Sequence, residues 1–235
     1  MTSAILVAAG QGTRMGPGVD KLFLEVAGRP VVAHTWERFD RAACIDEIVL
    51  VVRDGMQAAF EELGRKSGFR KPARFLIGGK ERQDSVWNGL QAIRPEAELV
   101  AIQDAARPCT PLSVIEATLA AAREMGAAVA AQRITDTVKE SDEGNQVVRT
   151  VDRSRLWAVQ TPQAFRVAVI RSALAEVRRR GLLVTDDTAA CELIGQPVRL
   201  VETHAPNPKV TVPADLPYVE WVLRQLAGSE PGSSV

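Results

Sequence analysis

Five short apolar runs punctuate the first 131 residues, and segments of helical period lie between them. The runs are Ile5-Leu6-Val7, Ile48-Val49-Leu50-Val51-Val52, Arg74-Phe75-Leu76-Ile77, Leu99-Val100-Ala101-Ile102 and Ala127 to Ala131. Short β-branched-rich runs without polar alternation suit strands buried on both faces, as in parallel sheets. Pro30 can open a helix to about Arg41. Asp54 is placed to cap a helix from about Gly55 to Lys66. Val86, Leu90 and Ile93 share one helical face, and Thr110-Pro111 opens another helix. The alternation predicts an α/β fold: a mostly parallel twisted sheet with helices on both faces. Ligands of such sheets bind beyond the carboxyl ends of the strands. Two polar features fall there, the Gly10–Lys21 loop and Asp104–Arg107.

The pattern breaks between Ile134 and Val151. That stretch is Thr-, Val- and charge-rich, with Glu143-Gly144-Asn145 as a turn signal. It predicts a hairpin projecting from the domain, either a solvated ornament or a dimerisation arm. Ile170, Leu174 and Val177 then mark a helix ending at Gly181, with Arg178-Arg179-Arg180 as a solvated last turn. Thr185-Asp186-Asp187 caps a short helix, Val198 to Val201 is a strand, and Val219, Val222, Leu223 and Leu226 give an amphipathic last helix. We expect one domain over residues 1–228, with 134–151 as its arm and 229–235 as a disordered tail.

Composition narrows the function. Lys plus Arg number 29 and Asp plus Glu 29, so net charge is zero. Nucleic-acid coats and membrane-surface proteins are normally basic, so neither partner is expected. No run approaches the ~18 apolar residues of a membrane span. The three cysteines, Cys44, Cys109 and Cys191, form no CxxC pair and read as reduced thiols of a cytoplasmic protein. His34 and His204 are the only histidines, and no GxSxG elbow is present.

The strongest local signal is Ala8-Ala9-Gly10-Gln11-Gly12-Thr13-Arg14-Met15-Gly16, with Lys21 beyond it. Glycines after a buried strand let the backbone approach a ligand and aim N–H groups at anionic oxygens. Arg14 and Lys21 add positive charge, which makes the loop a phosphate cradle. It lacks the Gly-Lys-Ser/Thr of a Walker A loop and the third glycine of GxGxxG. Asp104, in Asp104-Ala105-Ala106-Arg107-Pro108, is placed to hold Mg²⁺ against nucleotide phosphates, or simply to cap its loop by pairing with Arg107. Gly78-Gly79-Lys80-Glu81-Arg82-Gln83-Asp84-Ser85 opens a helix and offers N–H donors and Ser85 to a ligand. Arg153 and Lys209, in Asn207-Pro208-Lys209-Val210-Thr211, lie in loop-like settings.

Together these motifs resemble the 2-C-methyl-D-erythritol 4-phosphate cytidylyltransferase family, glycosyltransferase-A-like nucleotidyltransferases with a Rossmann-like fold. The likeness runs from about Ser3 to Leu226. It includes Val151-Asp152-Arg153 leading to Leu156-Trp157, Gln160-Thr161-Pro162-Gln163 and Thr185-Asp186-Asp187. The resemblance implies transfer of CMP from CTP to methylerythritol phosphate, with Mg²⁺ and a homodimer built on the arm. It assigns Arg14 and Lys21 to the CTP phosphates and the transition state, and Arg153 and Lys209 to positioning the acceptor. Ala8, Ala9, Gly10, Gly12, Gly79 and Ser85 would hold the nucleotide. Arg107, Thr137 and Thr161 would complete the acceptor pocket, and Asp104 would bind the metal. Two positions depart from the family pattern: Lys80 stands where some relatives carry an acidic residue, and Asp20 where proline is frequent. A ribitol 5-phosphate cytidylyltransferase, or a non-catalytic nucleotide-binding module, are the alternatives.

Overall fold

The computed structural model describes residues 1–10 and 20–229. Gly12, Arg14 and residues 230–235 of the expected tail lie outside the described residues. The strands are β1 (Thr2–Ala8), β2 (Glu25–Val26), β3 (Arg29–Pro30), β4 (Glu47–Val52), β5 (Ala73–Ile77) and β6 (Leu99–Asp104), then β7 (Ala127–Arg133), β8 (Val138–Ser141), β9 (Val147–Val151), β10 (Trp157–Arg166) and β11 (Arg199–Glu202). The helices are α1 (Val31–Arg41), α2 (Gln57–Ser67), α3 (Arg82–Ala92), α4 (Leu112–Met125), α5 (Val167–Arg180), α6 (Asp187–Leu193) and α7 (Leu216–Ser229).

Seven strands form the central sheet in the order β11-β7-β10-β6-β1-β4-β5. All neighbours are parallel except β10, which runs antiparallel to both β6 and β7. The fold is the expected mostly parallel α/β sheet. Strand side chains alternate between faces, and the two faces collect two cores. Ala4 and Leu6 of β1 join Ile48 and Leu50 of β4 under α1, α2, α4 and α7. Ile5 joins Val49, Val51, Val100 and Ile102 under α3, α5 and α6. Trimming one of these fully buried side chains, such as Leu90 to Ala, costs about 2–5 kcal/mol.

Three local expectations need correction. The cap of α2 is Met56, which makes no side-chain cap bond, so Asp54 does not start that helix. Arg178 is not a freely solvated last-turn residue: its Nη1 lies 3.4 Å from Asp84 Oδ1, and its guanidinium sits 5.0 Å over the Trp87 ring. Arg179 and Arg180 pair with Glu176, one turn back on the exposed face. Gly181 at φ +64° does end α5, where a left-handed residue is required. The ten-residue β10 had no counterpart among the expected strands; the polar run Gln160-Thr161-Pro162-Gln163 crosses it, and its pairing with β7 shifts register between Val159 and Gln163.

The predicted hairpin is present as a separate two-stranded sheet, β8 with β9, pairing Val138 with Val151 at its base. Val147 and Val148 are 63% and 60% exposed on it.

Candidate active site

The carboxyl ends of β1, β5 and β6 open on one side of the sheet. There Ala8, Ala9 and Gly10 leave β1, Gly78-Gly79 leaves β5 and Asp104 ends β6. With Lys21, Ser85 and Lys209, all of these residues except Gly78 line one pocket. Ala105 donates from its N–H to the Val7 carbonyl (3.1 Å), so the turn after β6 stays tied to β1.

One wall is made by close backbone approach. Ser85 Oγ accepts from the Gly79 N–H (3.1 Å) and donates to the Glu81 carbonyl (3.2 Å), folding the turn back onto the start of α3. A Cβ built on Gly79 would stand 2.2 Å from Asp84 Cβ, and one on Gly78 2.3 Å from Ala9 Cβ. Neither position admits a side chain without moving backbone, so both glycines follow from packing.

Asp104 is the electrostatic centre. Its Oδ2 accepts from Lys209 Nζ (2.7 Å) and its Oδ1 from Arg82 Nε (3.2 Å). Arg107 Nε stands 3.8 Å from Oδ2, too far for the cap expected of that pair to be the main contact. Burial alone would push the carboxyl up, but Arg82 and Lys209 outweigh it and hold it down at about 2. Asp104 is therefore ionised at any working pH.

Behind it lies a second acid. Arg82 Nη1 donates to Asp187 Oδ2 (2.8 Å), so one guanidinium bridges Asp104 and Asp187. Asp187 is 1% exposed, and among the described residues its Oδ1 finds no hydrogen-bond partner. Burial pushes its carboxyl up, with Arg82 working against that. The two carboxylates in turn keep Arg82 protonated against its own burial.

The loop carrying Lys209 is fastened by Asn207. Its Nδ2 donates to the Thr161 carbonyl (2.8 Å), its Oδ1 accepts from Thr110 Oγ1 (3.0 Å), and its carbonyl accepts from Arg107 Nη1 (2.7 Å). Lys21 Nζ donates to the Val210 carbonyl (3.0 Å), next to Lys209. Two lysines from distant parts of the chain thus meet at one pocket edge.

Of the predicted site residues, the structure gathers Ala8, Ala9, Gly10, Lys21, Gly79, Ser85, Asp104 and Lys209 around the pocket. Thr161 stands behind it and accepts from the Asp104 N–H through Oγ1 (3.1 Å). Arg107 is packed beside Asp104. Arg153 and Thr137 are not brought to this pocket: both are exposed at the base of the hairpin, where Arg153 Nη1 donates to the Thr135 carbonyl. Gly12 and Arg14 lie outside the described residues. The sequence gives Arg82 and Asn207 no role and Asp187 only a share in a helix cap, so none of the three has an expected place in the site. Each stood inside a quoted motif, but a burial partner more than 90 residues away leaves no mark on the local pattern.

Comparisons with known proteins agree on one family. The sequence model of 2-C-methyl-D-erythritol 4-phosphate cytidylyltransferase matches residues 2–225. The protein of that name from Geobacillus thermodenitrificans is 44% identical over 220 residues, covering 94% of this chain and 96% of its own. Its counterpart in Pelotomaculum thermopropionicum is 40% identical over 227 residues, covering 96% and 95%. Among solved structures, 4-diphosphocytidyl-2C-methyl-D-erythritol synthase from Anaerococcus prevotii superposes with a TM-score of 0.83 at 31% identity, over 95% of this chain and 98% of that one. The Thermus thermophilus 2-C-methyl-D-erythritol 4-phosphate cytidylyltransferase gives 0.76 at 34% identity, over 95% and 100%.

Proposed function

The chain belongs to the 2-C-methyl-D-erythritol 4-phosphate cytidylyltransferase family, and from that premise we propose how its residues carry the transfer. The reaction joins CTP and 2-C-methyl-D-erythritol 4-phosphate into 4-diphosphocytidyl-2-C-methyl-D-erythritol, with release of pyrophosphate, in non-mevalonate isoprenoid synthesis. An oxygen of the acceptor phosphate attacks the α-phosphorus of CTP, and the bond from that phosphorus to the bridging oxygen of pyrophosphate breaks.

A phosphate monoester has its second pKa near ~6, so at neutral pH it is already a dianion. No general base is needed. The obstacle is electrostatic, since one anion must approach another and charge builds on the transferring group. A pocket of lysine, arginine and aspartate meets that demand without a catalytic serine or histidine. His34 fits this division: its Nε2 is engaged with the Val26 carbonyl at 2.7 Å in the core.

In this reading Ala8, Ala9, Gly10 and Gly12 receive the nucleotide along the β1 loop, with Gly79 and Ser85 on the facing wall. Lys21, with Arg14, neutralises the CTP phosphates and the transition state. Lys209 positions the acceptor phosphate. It is the more exposed partner of Asp104, 37% against 28% for Arg82, and so has room to turn towards a ligand. Arg107 and Thr161 shape the acceptor side.

The donor chemistry at Asp104 fits Mg²⁺: one ionised carboxylate on the pocket wall, with phosphates and water completing the shell, is a frequent arrangement for this ion. Asp104, at the end of β6 on the pocket wall, is the residue that would hold it. Mg²⁺ bound there supplies charge neutralisation across the phosphates.

Arg153 and Thr137 stand on the arm, so we assign them to the pocket of a second subunit. The exposed Val147 and Val148 supply apolar surface for a homodimer, since an isolated two-stranded hairpin is marginal in water. Residues 1–228 then act as one nucleotidyltransferase domain with 134–151 as its dimerisation arm. No helix among the described residues is long and apolar enough to cross a membrane, and a cytoplasmic location suits the substrates.

The observation that carries the reading is Asp104, held ionised between Lys209 and Arg82 opposite a glycine-lined backbone wall. Pyrophosphate release from CTP that requires methylerythritol phosphate tests it. Release should fall in Lys209→Ala mainly through a raised KM for the acceptor. Release that proceeds equally without acceptor would contradict it.

A further inference from the structure

Asp20 stands one residue before Lys21, and its side chain uses both oxygens. Oδ1 accepts from the Leu22 N–H (3.1 Å), an Asx turn that wraps the backbone around Lys21. Oδ2 is paired with Arg53 Nη2. Arg53 immediately follows Val52, the last residue of β4. Arg53 lines a cleft together with Ala9, Gly78 and Gly79, of which Ala9 and Gly79 also wall the nucleotide pocket. The pair is 29% and 22% exposed, partly shielded from solvent.

The turn is anchored on its far side as well. Phe23 donates from its N–H to the Asp20 carbonyl (3.0 Å), and Val32 from its N–H to the Leu22 carbonyl (3.0 Å). Leu22 itself is buried. Lys21 therefore sits on a short turn clamped to α1 on one side and, through Asp20, to the carboxyl end of β4 on the other. Its own Nζ reaches the Val210 carbonyl.

We propose that Asp20 and Arg53 are positioning residues for Lys21, a side-chain clamp that fixes the lysine turn to the sheet at the edge of the nucleotide pocket. Neither residue touches the reacting atoms. They act by holding the Lys21 backbone, so their loss widens the range of places the ammonium occupies. The inference rests on the transferase reading of the pocket, which gives Lys21 its task.

The test uses Asp20→Asn, Asp20→Ala, Arg53→Ala and the double variant Asp20→Asn/Arg53→Ala. Asparagine keeps an oxygen for the Leu22 N–H and loses the ion pair, so it separates the two contacts. We expect kcat to fall roughly 10- to 100-fold in Asp20→Ala, the scale on which a misplacement of about 1 Å costs turnover. Asp20→Asn and Arg53→Ala should fall less and by similar factors, with KM for the acceptor unchanged. The double variant should be no slower than Arg53→Ala alone, because both changes remove one contact. Amide exchange at Leu22 should quicken in Asp20→Ala and stay slow in Asp20→Asn, whatever the activity.

Wild-type kcat in Asp20→Ala and Arg53→Ala, or losses that multiply in the double variant, would overturn the clamp. So would a loss felt only as a raised acceptor KM. If Asp20→Ala does not fold, the asparagine and Arg53 variants carry the same comparison. A wild-type enzyme that transfers no CMP would instead refute the transferase reading, while the Leu22 exchange would still report on the turn.

Discussion

Replacing Asp104 with asparagine removes one charge and little volume. In the native site the carboxylate faces Lys209 at 2.7 Å, Arg82 at 3.2 Å and Arg107 at 3.8 Å. An amide there keeps one acceptor and turns N–H donors towards cations. The native carboxyl is held at about 2 against an ordinary 3.8, which favours the ionised, folded form by an amount on the order of 2–3 kcal/mol. For a chain of this length that is a fall in Tm of about 5–10 °C at neutral pH. The sign follows from the depressed folded pKa: this stability is present above the ordinary carboxyl pKa and is lost as pH falls through the folded value near 2. The gap between wild type and Asp104→Asn should thus be full at pH 7 and close towards pH 2. Asp187, pushed up by burial, runs the other way, so the difference between the two proteins is the quantity to follow. Turnover should fall by ~10²–10³, the usual cost of deleting one charge-stabilising group, and added Mg²⁺ should recover only part of it. Calorimetry across pH beside pyrophosphate release measures both. A variant with wild-type Tm, wild-type kcat and an unchanged metal response would show that the carboxylate is only a loop cap.

Lys21→Ala and Arg14→Ala should each lower kcat by ~10²–10³ while raising the acceptor KM much less; steady-state kinetics with both substrates varied separates the two effects, and near-wild-type turnover would refute the assignment. Gly79→Ala should raise the KM for CTP, because its Cβ would stand 2.2 Å from Asp84 Cβ and force the nucleotide wall to move; an unchanged CTP titration would contradict the packing account. Replacing the tip of the 134–151 arm and its flanking valines with a short Gly-Ser link should give monomers that bind CTP but turn over acceptor poorly. Sedimentation read beside a CTP titration checks both halves, and a fully active monomer would refute a role for the arm in the acceptor site.

The strands β1, β4 and β6 were legible because a buried parallel strand needs apolar residues on both faces, and Ile5-Leu6-Val7 and Ile48–Val52 supply little else. After β1 and β6 the sequence places glycine and charge beyond a buried run, and of those positions the described Gly10, Lys21 and Asp104 line the pocket. β10 was not, since its middle is Gln160-Thr161-Pro162-Gln163. Those polar side chains are spent on tertiary partners, with Gln163 bonding Asp186 at 2.8 Å and Thr161 the Asp104 N–H at 3.1 Å. Asp187 read as part of a helix-capping pair, and half of that reading stands. Asp186 caps α6 by accepting from the Ala189 N–H at 2.9 Å, while Asp187 turns inward to Arg82 at 2.8 Å. Adjacent identical residues, one half-buried and one fully buried, cannot be told apart by local pattern. Asp20 likewise looked like a departure from the resembling family, and only the position of Arg53, 33 residues on, shows what the carboxylate holds.

The central claim is that this pocket joins the cytidylyl group of CTP to one phosphorylated polyol. Its most direct measurement is an acceptor comparison: purified protein, CTP and Mg²⁺ with either 2-C-methyl-D-erythritol 4-phosphate or ribitol 5-phosphate, followed by phosphorus NMR of the products. The account predicts a new diphosphate ester and an equal amount of pyrophosphate with methylerythritol phosphate, and neither product with ribitol 5-phosphate. Ester formation only with ribitol 5-phosphate, or CTP left intact with both acceptors, would contradict it.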